Sequence, residues 1–170
     1  MKKIINTLGT ITRLTGTSLA WLTLLMVIAT SAIVILRKIM GIGLIGLQES
    51  VTYMHAIVFM LTAAWALQRG VHVRVDIFYR RFSNQQRAWV DALGSLLFTL
   101  PVMIFIAVGS WDFVSASWRI QEGSNDSGGL GIVFLLKSLL PLMALGVCLQ
   151  AIAELLRNLM LLMYTELPEE

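Results

Sequence analysis

The feature that most constrains this chain is a run of 23 residues, 14–36, without a single charged side chain. A helix needs about 20 mainly apolar residues to cross the roughly 30 Å hydrocarbon core of a bilayer. Segments 50–68, 90–111 and 130–153 are similarly apolar and carry at most one charged residue each. They are unbroken runs rather than the alternating ten-residue strands of a membrane barrel. The sequence therefore predicts four transmembrane helices.

Composition leaves room for little else. Hydrophobic residues make up 57% of the 170 residues and charged residues 14%, whereas about a quarter of the residues in soluble domains are charged. We expect one transmembrane domain, residues 1–165, and a disordered acidic tail at 166–170. The net charge of +3 is spread beside the apolar runs, where lipid headgroups lie, so nucleic acid is not an expected partner.

Lysine and arginine are distributed unequally between the two sides of the predicted bundle. Nine lie in the terminal segments and the middle connection, and three lie in the two other connections. Because such residues concentrate on the cytoplasmic side, both termini are predicted to be cytoplasmic. Residues 1–14 place Ile4, Ile5, Leu8 and Ile11 on one helical face, which predicts an amphipathic helix in the inner headgroup layer. The fold class is an all-α membrane protein with four transmembrane helices and this N-terminal interfacial helix.

His55 is the one histidine within a predicted span. Haem b in a helical bundle usually needs two imidazoles, and the other histidine, His72, lies 17 residues later. That separation is about 25 Å along a continuous helix, so the two side chains cannot hold one iron. We therefore expect a hydrogen-bonding or interface role for His55 rather than a cofactor role.

Lys137 and Pro141 lie close together in the fourth predicted span. Proline lacks the N–H that would bond the carbonyl of Lys137, so a cation and an unpaired acceptor share one turn. This arrangement suits a substrate anion or a lipid phosphate, but we favour a lysine that snorkels to the outer interface or contacts a partner protein. Glu154 and Arg157 are three residues apart and are predicted to pair on one helix face at the membrane interface.

The acidic residues nearest the predicted bundle all lie at span ends: Glu49, Asp91, Asp112 and Glu154. Exporters of cationic drugs need a carboxylate inside the bundle, and transport sites commonly show paired helices interrupted by glycine or proline. The chain has neither feature, so we expect that it does not move an ion by itself. We also expect no catalytic, metal-binding or substrate-binding residue and no cofactor; a bound phospholipid is the only small molecule anticipated.

A short string after the second predicted span carries a family resemblance. It reads Gly-Val-His-Val-Arg-Val-Asp at residues 70–76. This string resembles the signature of the small membrane subunit of tripartite ATP-independent periplasmic (TRAP) transporters, the DctQ type. Glu49, the four-span layout and the run Ser-Trp-Arg-Ile-Gln-Glu-Gly-Ser at 117–124 match as well. Gly-Gly-Leu at 128–130 and Leu-Gln-Ala-Ile-Ala-Glu at 149–154 extend the resemblance.

The resemblance implies a scaffold subunit, not an enzyme, in a bacterial inner membrane. Such a subunit forms an obligate heterodimer with a large membrane subunit that carries the substrate and sodium sites. A periplasmic binding protein delivers an organic anion, such as a carboxylate. Two other functions stay open: the membrane anchor of a redox complex and an independent small transporter. The residues expected to have structural or interface roles are Glu49, Gly70, His72, Arg74, Asp76, Lys137, Glu154 and Arg157.

Overall fold

Every element of the protein is helical in the part of the chain that the structure describes. The computed structural model describes residues 2–70, 79 and 81–165, with the backbone alone for 2–9, 11, 15, 164 and 165. The helices are α1 (Lys2–Met40), α2 (Ile45–Gln68), α3 (Asn84–Gly94), α4 (Leu100–Gly109), α5 (Trp111–Arg119) and α6 (Val133–Thr165), with a π-helical turn, Ser95–Thr99, between α3 and α4.

Four helical stretches are long and apolar enough to cross a bilayer. They are Thr12–Met40, Ile45–Gln68, Asn84–Arg119 and Val133–Met163. This confirms the prediction of an all-α chain with four spans. The helices extend past most of the predicted span ends, because a helix can continue through the headgroup layer, where its charged side chains stay hydrated. The tail predicted to be disordered, 166–170, lies outside the described residues.

The first helix differs from the prediction of a separate interfacial segment. α1 runs without a break over 39 residues, so residues 2–14 are part of this helix and do not form a separate one. No proline interrupts this part of the sequence, and backbone hydrogen bonding continues through it. At about 1.5 Å per residue, α1 extends roughly 58 Å, about twice the thickness of the hydrocarbon core. The amphipathic pattern therefore belongs to a continuation of the first span.

The connection between α1 and α2 is much shorter than the segment 37–49 that separates the first two predicted spans. Only residues 41–44 are non-helical, and Gly41 reverses the chain with φ +65°, which glycine adopts without steric cost. The start of α2 is held by tertiary contact: a Cβ added to Gly46 would lie 3.0 Å from the carbonyl oxygen of Gly128. This contact joins residues far apart in the chain and lies beside the first turn of α2.

The third span begins with a capping box and contains a wide turn. The Ser83 hydroxyl accepts a hydrogen bond from the backbone N–H of Gln86, and the Gln86 side chain accepts one from the backbone N–H of Ser83. Pro101 cannot donate to the carbonyl four residues before it. The chain widens just before this proline, where the N–H of Leu100 donates to the carbonyl of Ser95. The helix therefore continues past the proline.

α5 lies mostly in the segment 112–129, which separates the third and fourth predicted spans. Its first turn contains Asp112 and its last turn contains Arg119. An acid at the N-terminus and a base at the C-terminus both stabilise a helix through its macrodipole. The outer connection is therefore shortened to residues 120–132, which we call the 120–132 loop.

α6 is the central helix and packs against all the other α-helices defined above. Its inward face carries small side chains: Ala144 and Ala151 are 0% exposed and Ala153 is 3% exposed. Small residues allow helix backbones to approach closely, which favours association where lipid and side chains are equally apolar. The core of this domain is therefore the set of faces that surround α6.

Candidate functional site

Glu49 joins the start of α2 to a loop far along the chain. Its Oε1 atom accepts a hydrogen bond from the Ser124 hydroxyl, and Oε2 accepts one of 2.6 Å from the backbone N–H of Leu130. Hydrogen bonds to an ionised carboxylate are roughly twice as strong as neutral ones. One side chain therefore fixes two points of the 120–132 loop.

Backbone hydrogen bonds give the same loop a defined shape. The N–H of Ser124 donates to the carbonyl of Leu130 at 2.9 Å, and the N–H of Gly129 donates to the carbonyl of Asp126 at 2.9 Å. Gly129 lies against the carboxylate, because a Cβ at this position would be 2.8 Å from Oε1 of Glu49. The loop can therefore close over the carboxylate only if residue 129 has no side chain.

Lys137, in the second turn of α6, holds the loop from the other side. Its Nζ atom lies 2.5 Å from Oε2 of Glu122 and 4.0 Å from the centroid of the Phe113 ring. The hydrogen bond from Lys137 is the main reason that the pKa of Glu122 falls below its ordinary value near 4.5. The Ser117 hydroxyl adds to this lowering of the pKa from a buried position nearby, although it does not reach hydrogen-bond geometry.

Trp118 ties α5 to α6 at the same end of the bundle. Its indole N–H donates to the hydroxyl of Ser138 at 2.8 Å, and that hydroxyl donates to the carbonyl of Phe134 at 2.8 Å. The rings of Trp118 and Phe134 meet edge to face with centroids 4.7 Å apart. The indole N–H of a half-exposed tryptophan is thus paired within the protein, and these contacts help to fix the helix that leads into the 120–132 loop.

A second group of polar side chains lies towards the other end of the bundle. Gln150 is 3% exposed; its Oε1 accepts a hydrogen bond of 3.2 Å from the Thr12 hydroxyl, and its Nε2 donates to Oε1 of Glu154 at 3.1 Å. Glu154 lies 3.8 Å from the guanidinium of Arg157, which is the pairing that their spacing predicts. This network satisfies a buried amide and connects α1 with α6.

A cavity of about 740 Å³ opens beside this network. Its walls come from the end of α2, from α3 and the π-helical turn, and from α6. Within the described ranges, the charged residues that line it are Arg69, Asp91, Glu154 and Arg157. We call it the mixed-charge cavity, since cations and carboxylates face the same space.

Gly70 follows α2 in the left-handed conformation that terminates many helices, with φ +62°. Its N–H donates to the carbonyl of Leu67 at 3.0 Å, which satisfies one of the last carbonyls of the helix. The chain then enters the motif that carries the family resemblance. His72, Arg74 and Asp76 lie outside the described residues, so their interface roles stay predictions.

The predicted site residues do not converge on one site. Glu49 and Lys137 hold opposite sides of the 120–132 loop, whereas Glu154 lies 17 residues after Lys137, about 25 Å along the helix. Sequence reasoning missed their loop partners, Glu122 and Ser124, although both belong to the run at 117–124. The sequence did contain a usable signal. Two carboxylates, Glu49 and Glu122, and one lysine, Lys137, lie in or beside a glycine-rich loop, and none of the three had a predicted ion-pair partner.

Among the residues that the structure describes, no group of three or more His, Cys, Asp or Glu side chains could hold a metal ion. The described polar contacts instead join helices to one another and to the 120–132 loop. Chemically, the arrangement can shape a surface and bind headgroups or proteins.

A known protein family matches most of the chain. Residues 26–161 match the model of the family described as "Tripartite ATP-independent periplasmic transporters, DctQ component". No curated protein and no solved structure matches the chain. The family model spans most of the sequence, including all the described residues of the 120–132 loop and of the mixed-charge cavity. The chain therefore belongs to the DctQ component family of the tripartite ATP-independent periplasmic transporters, a family of multi-pass transporter components rather than enzymes.

Proposed function

We propose that this chain is the small scaffold subunit of a TRAP-type secondary transporter in a bacterial inner membrane. It forms an obligate heterodimer with a large membrane subunit that carries the sodium and substrate sites. A periplasmic binding protein delivers an organic anion, such as a carboxylate, and both termini of this chain lie in the cytoplasm. Membership of the DctQ component family is the observation that carries the proposal. It favours this function over a redox-complex anchor and over an independent transporter.

The positions of the charged side chains support a scaffold role. Glu49 and Lys137 define one charged level, and Arg69 and Glu154 define another, 20 and 17 residues further along their helices. These intervals correspond to about 30 Å and 25 Å of helix, close to the thickness of the hydrocarbon core. Between the two levels the described helices place no acidic side chain that could bind a coupling ion. We therefore assign the ion sites to the large subunit.

His55 supports a protein contact on the face of α2. It lies ten residues into the helix, about 15 Å from its start and thus near the middle of the span. The side chain is exposed and stacks on Phe59 with ring centroids 6.4 Å apart. No hydrogen-bond partner for it occurs among the described residues. Because polar groups at this depth rarely face lipid, we assign this face to the large subunit.

The 120–132 loop is the proposed contact surface for the binding protein. With both termini in the cytoplasm, this loop faces the periplasm. The contacts of Glu49 and Lys137 order it before any partner arrives, so binding loses less conformational entropy. Its most exposed stretch, residues 125–128, contains polar side chains that can donate and accept hydrogen bonds.

The connection that contains His72, Arg74 and Asp76 is the proposed cytoplasmic contact with the large subunit. Alanine at these positions is expected to reduce assembly or uptake without changing the order of preference among organic anions. Competition of labelled substrate with a panel of unlabelled carboxylates measures that order. A changed order would mean that these residues contact substrate, contrary to the proposal.

Site-specific photo-cross-linking tests the assigned face. A photoreactive amino acid replaces His55 in cells that also make the large subunit, and we expect a cross-linked product at the summed mass of both subunits. The matched control carries the same amino acid at Phe105, which is 76% exposed on α4. Cross-linking at residue 105 but not at residue 55 would place the partner on another face and contradict the assignment.

A further inference from the structure

The mixed-charge cavity lies at the level where headgroups meet the end of the bundle. Arg69 directly follows the last residue of α2, and Arg157 lies four residues after the buried Ala153. The volume of about 740 Å³ is within the range of small-molecule sites, roughly 300–1,000 Å³. The cavity is therefore large enough for a headgroup and close enough to the hydrocarbon for its acyl chains to stay in the leaflet.

Among the residues that the structure describes, the charges that line this cavity balance. Arg69 and Arg157 contribute two positive charges, and Asp91 and Glu154 contribute two negative charges. An anionic ligand would leave a net charge in a partly desolvated site, which is unfavourable. A zwitterion keeps the site neutral and can place each of its charges beside an opposite one. The balance favours a ligand that carries one phosphate and one ammonium group.

The geometry leaves donors and acceptors for such a ligand. The 3.8 Å separation between Glu154 and Arg157 is longer than a hydrogen bond, so their attraction does not use up the guanidinium N–H groups. Arg69 lies over the Trp65 ring, 5.2 Å from its centroid. A guanidinium that lies over an aromatic ring contacts the ring through the flat face of the guanidinium. The N–H groups in the guanidinium plane can still donate to phosphate.

The apolar walls continue from the charged residues towards the hydrocarbon. Leu67 and Phe98 line the same cavity as the four charged side chains. Leu67 precedes Arg69 on α2 and Phe98 follows Asp91 on the third span, so both lie on the hydrocarbon side of the charges, and Phe98 is 71% exposed. A surface that is charged at one end and apolar at the other fits a lipid better than a soluble metabolite. The ammonium of ethanolamine can also donate hydrogen bonds to Glu154, which the quaternary amine of choline cannot do.

We propose that the mixed-charge cavity binds one phospholipid with an ethanolamine headgroup. Arg69 and Arg157 hold the phosphate, and Glu154 holds the primary ammonium. On the predicted orientation, this lipid comes from the cytoplasmic leaflet. The site goes beyond the scaffold function and does not depend on it, because all its residues belong to this chain.

Native mass spectrometry of the full chain in mild detergent tests the proposal. The chain is mixed with equal amounts of phosphatidylethanolamine, phosphatidylcholine and phosphatidylglycerol that share the same acyl chains. We expect one retained phosphatidylethanolamine, at about tenfold or greater preference over each of the others, which corresponds to about 1.4 kcal/mol. In a parallel experiment the chain is mixed with soluble phosphoethanolamine, which distinguishes a lipid site from a site for the free headgroup.

Substitutions separate the two halves of the headgroup. Glu154→Gln removes the carboxylate, and we expect the ratio of phosphatidylethanolamine to phosphatidylglycerol to fall about tenfold. Glu154→Asp keeps the charge and should keep the preference, while Arg157→Gln should weaken retention of both lipids. Arg119→Gln, at the opposite end of the bundle, is the control that leaves the ratio unchanged. Circular dichroism verifies that each variant retains its helix content.

Several results would overturn the proposal. One is equal retention of the three lipids, which is the behaviour of annular lipid only. Another is a ratio that Glu154→Gln does not move in a folded protein. Tight binding of soluble phosphoethanolamine would assign the cavity to a free metabolite. Occupation of the cavity by the large subunit, seen as loss of the bound lipid in the heterodimer, would assign it to a protein contact.

Discussion

The Oε2 atom of Glu49 accepts a 2.6 Å hydrogen bond from the backbone N–H of Leu130, although the two residues are 81 positions apart. Glu49 lies at the start of α2, and Leu130 lies three residues before α6. The shape of the 120–132 loop therefore depends on how these two helices pack. Any movement of α2 relative to α6 would change the shape of the loop surface.

Replacing Glu49 tests this dependence. Glu49→Gln removes the charge that strengthens both hydrogen bonds, so we expect amide exchange at Leu130 to become about tenfold faster or more. Hydrogen–deuterium exchange of peptides from the 120–132 loop measures the effect. Asp112→Asn, an exposed acid in α5, is the matched control. Equal exchange in the Glu49 variant and the original protein would mean that the carboxylate does not order the loop.

The ion pair of Glu122 with Lys137 predicts a pH dependence. The pKa of Glu122 is lowered on folding, chiefly by the hydrogen bond from Lys137. Its contribution to stability is therefore fully present above the ordinary value near 4.5 and is lost as pH falls through the lower, folded pKa. We expect the melting temperature to decline over this acidic range.

A variant isolates this ion pair from other acidic groups. In Lys137→Met the largest cause of the lowered pKa is gone, so the decline in melting temperature between pH 7 and the acidic range should be smaller. Thermal melts of both proteins in the same detergent, followed by circular dichroism, supply the comparison. Superimposable pH curves for the two proteins would count against a stabilising pair.

The packing around α6 predicts sensitivity to added volume. Ala144 is 0% exposed, so Ala144→Leu forces side chains or helices apart and is expected to lower the free energy of unfolding by about 1–3 kcal/mol. Leu145→Ala changes the neighbouring residue, which is 55% exposed. This substitution should change the free energy of unfolding by less than about 0.5 kcal/mol. Unfolding by sodium dodecyl sulfate in mixed micelles measures both. A tolerated leucine at 144 would mean that the helices are less closely packed than described.

Local features of the fold were predictable from the sequence. Uncharged runs such as residues 14–36 identify the spans, because the bilayer sets both their length and their polarity. The spacing of Glu154 and Arg157 predicted an ion pair, since residues three apart share a helix face. These inferences need only the period of a helix and the properties of lipid.

The features that the sequence did not predict depend on distant contacts. The carboxylate of Glu49 finds Ser124 only because α2 and the 120–132 loop are adjacent in space. Lys137 was expected to snorkel or contact a partner, and the structure gives it Glu122 and Phe113 as neighbours. The first turn of α2 likewise comes close to the carbonyl oxygen of Gly128, 82 residues after Gly46. A single sequence does not show which distant residues come into contact.

The central claim is that this chain supports transport without performing it. Uptake of a labelled organic anion into proteoliposomes under a sodium gradient tests it most directly, with this chain alone, the large subunit alone, or both, each with the binding protein present. We predict sodium-dependent uptake when both subunits are present and only the background of protein-free vesicles with this chain alone. Sodium-dependent accumulation by vesicles that contain only this chain would contradict the account.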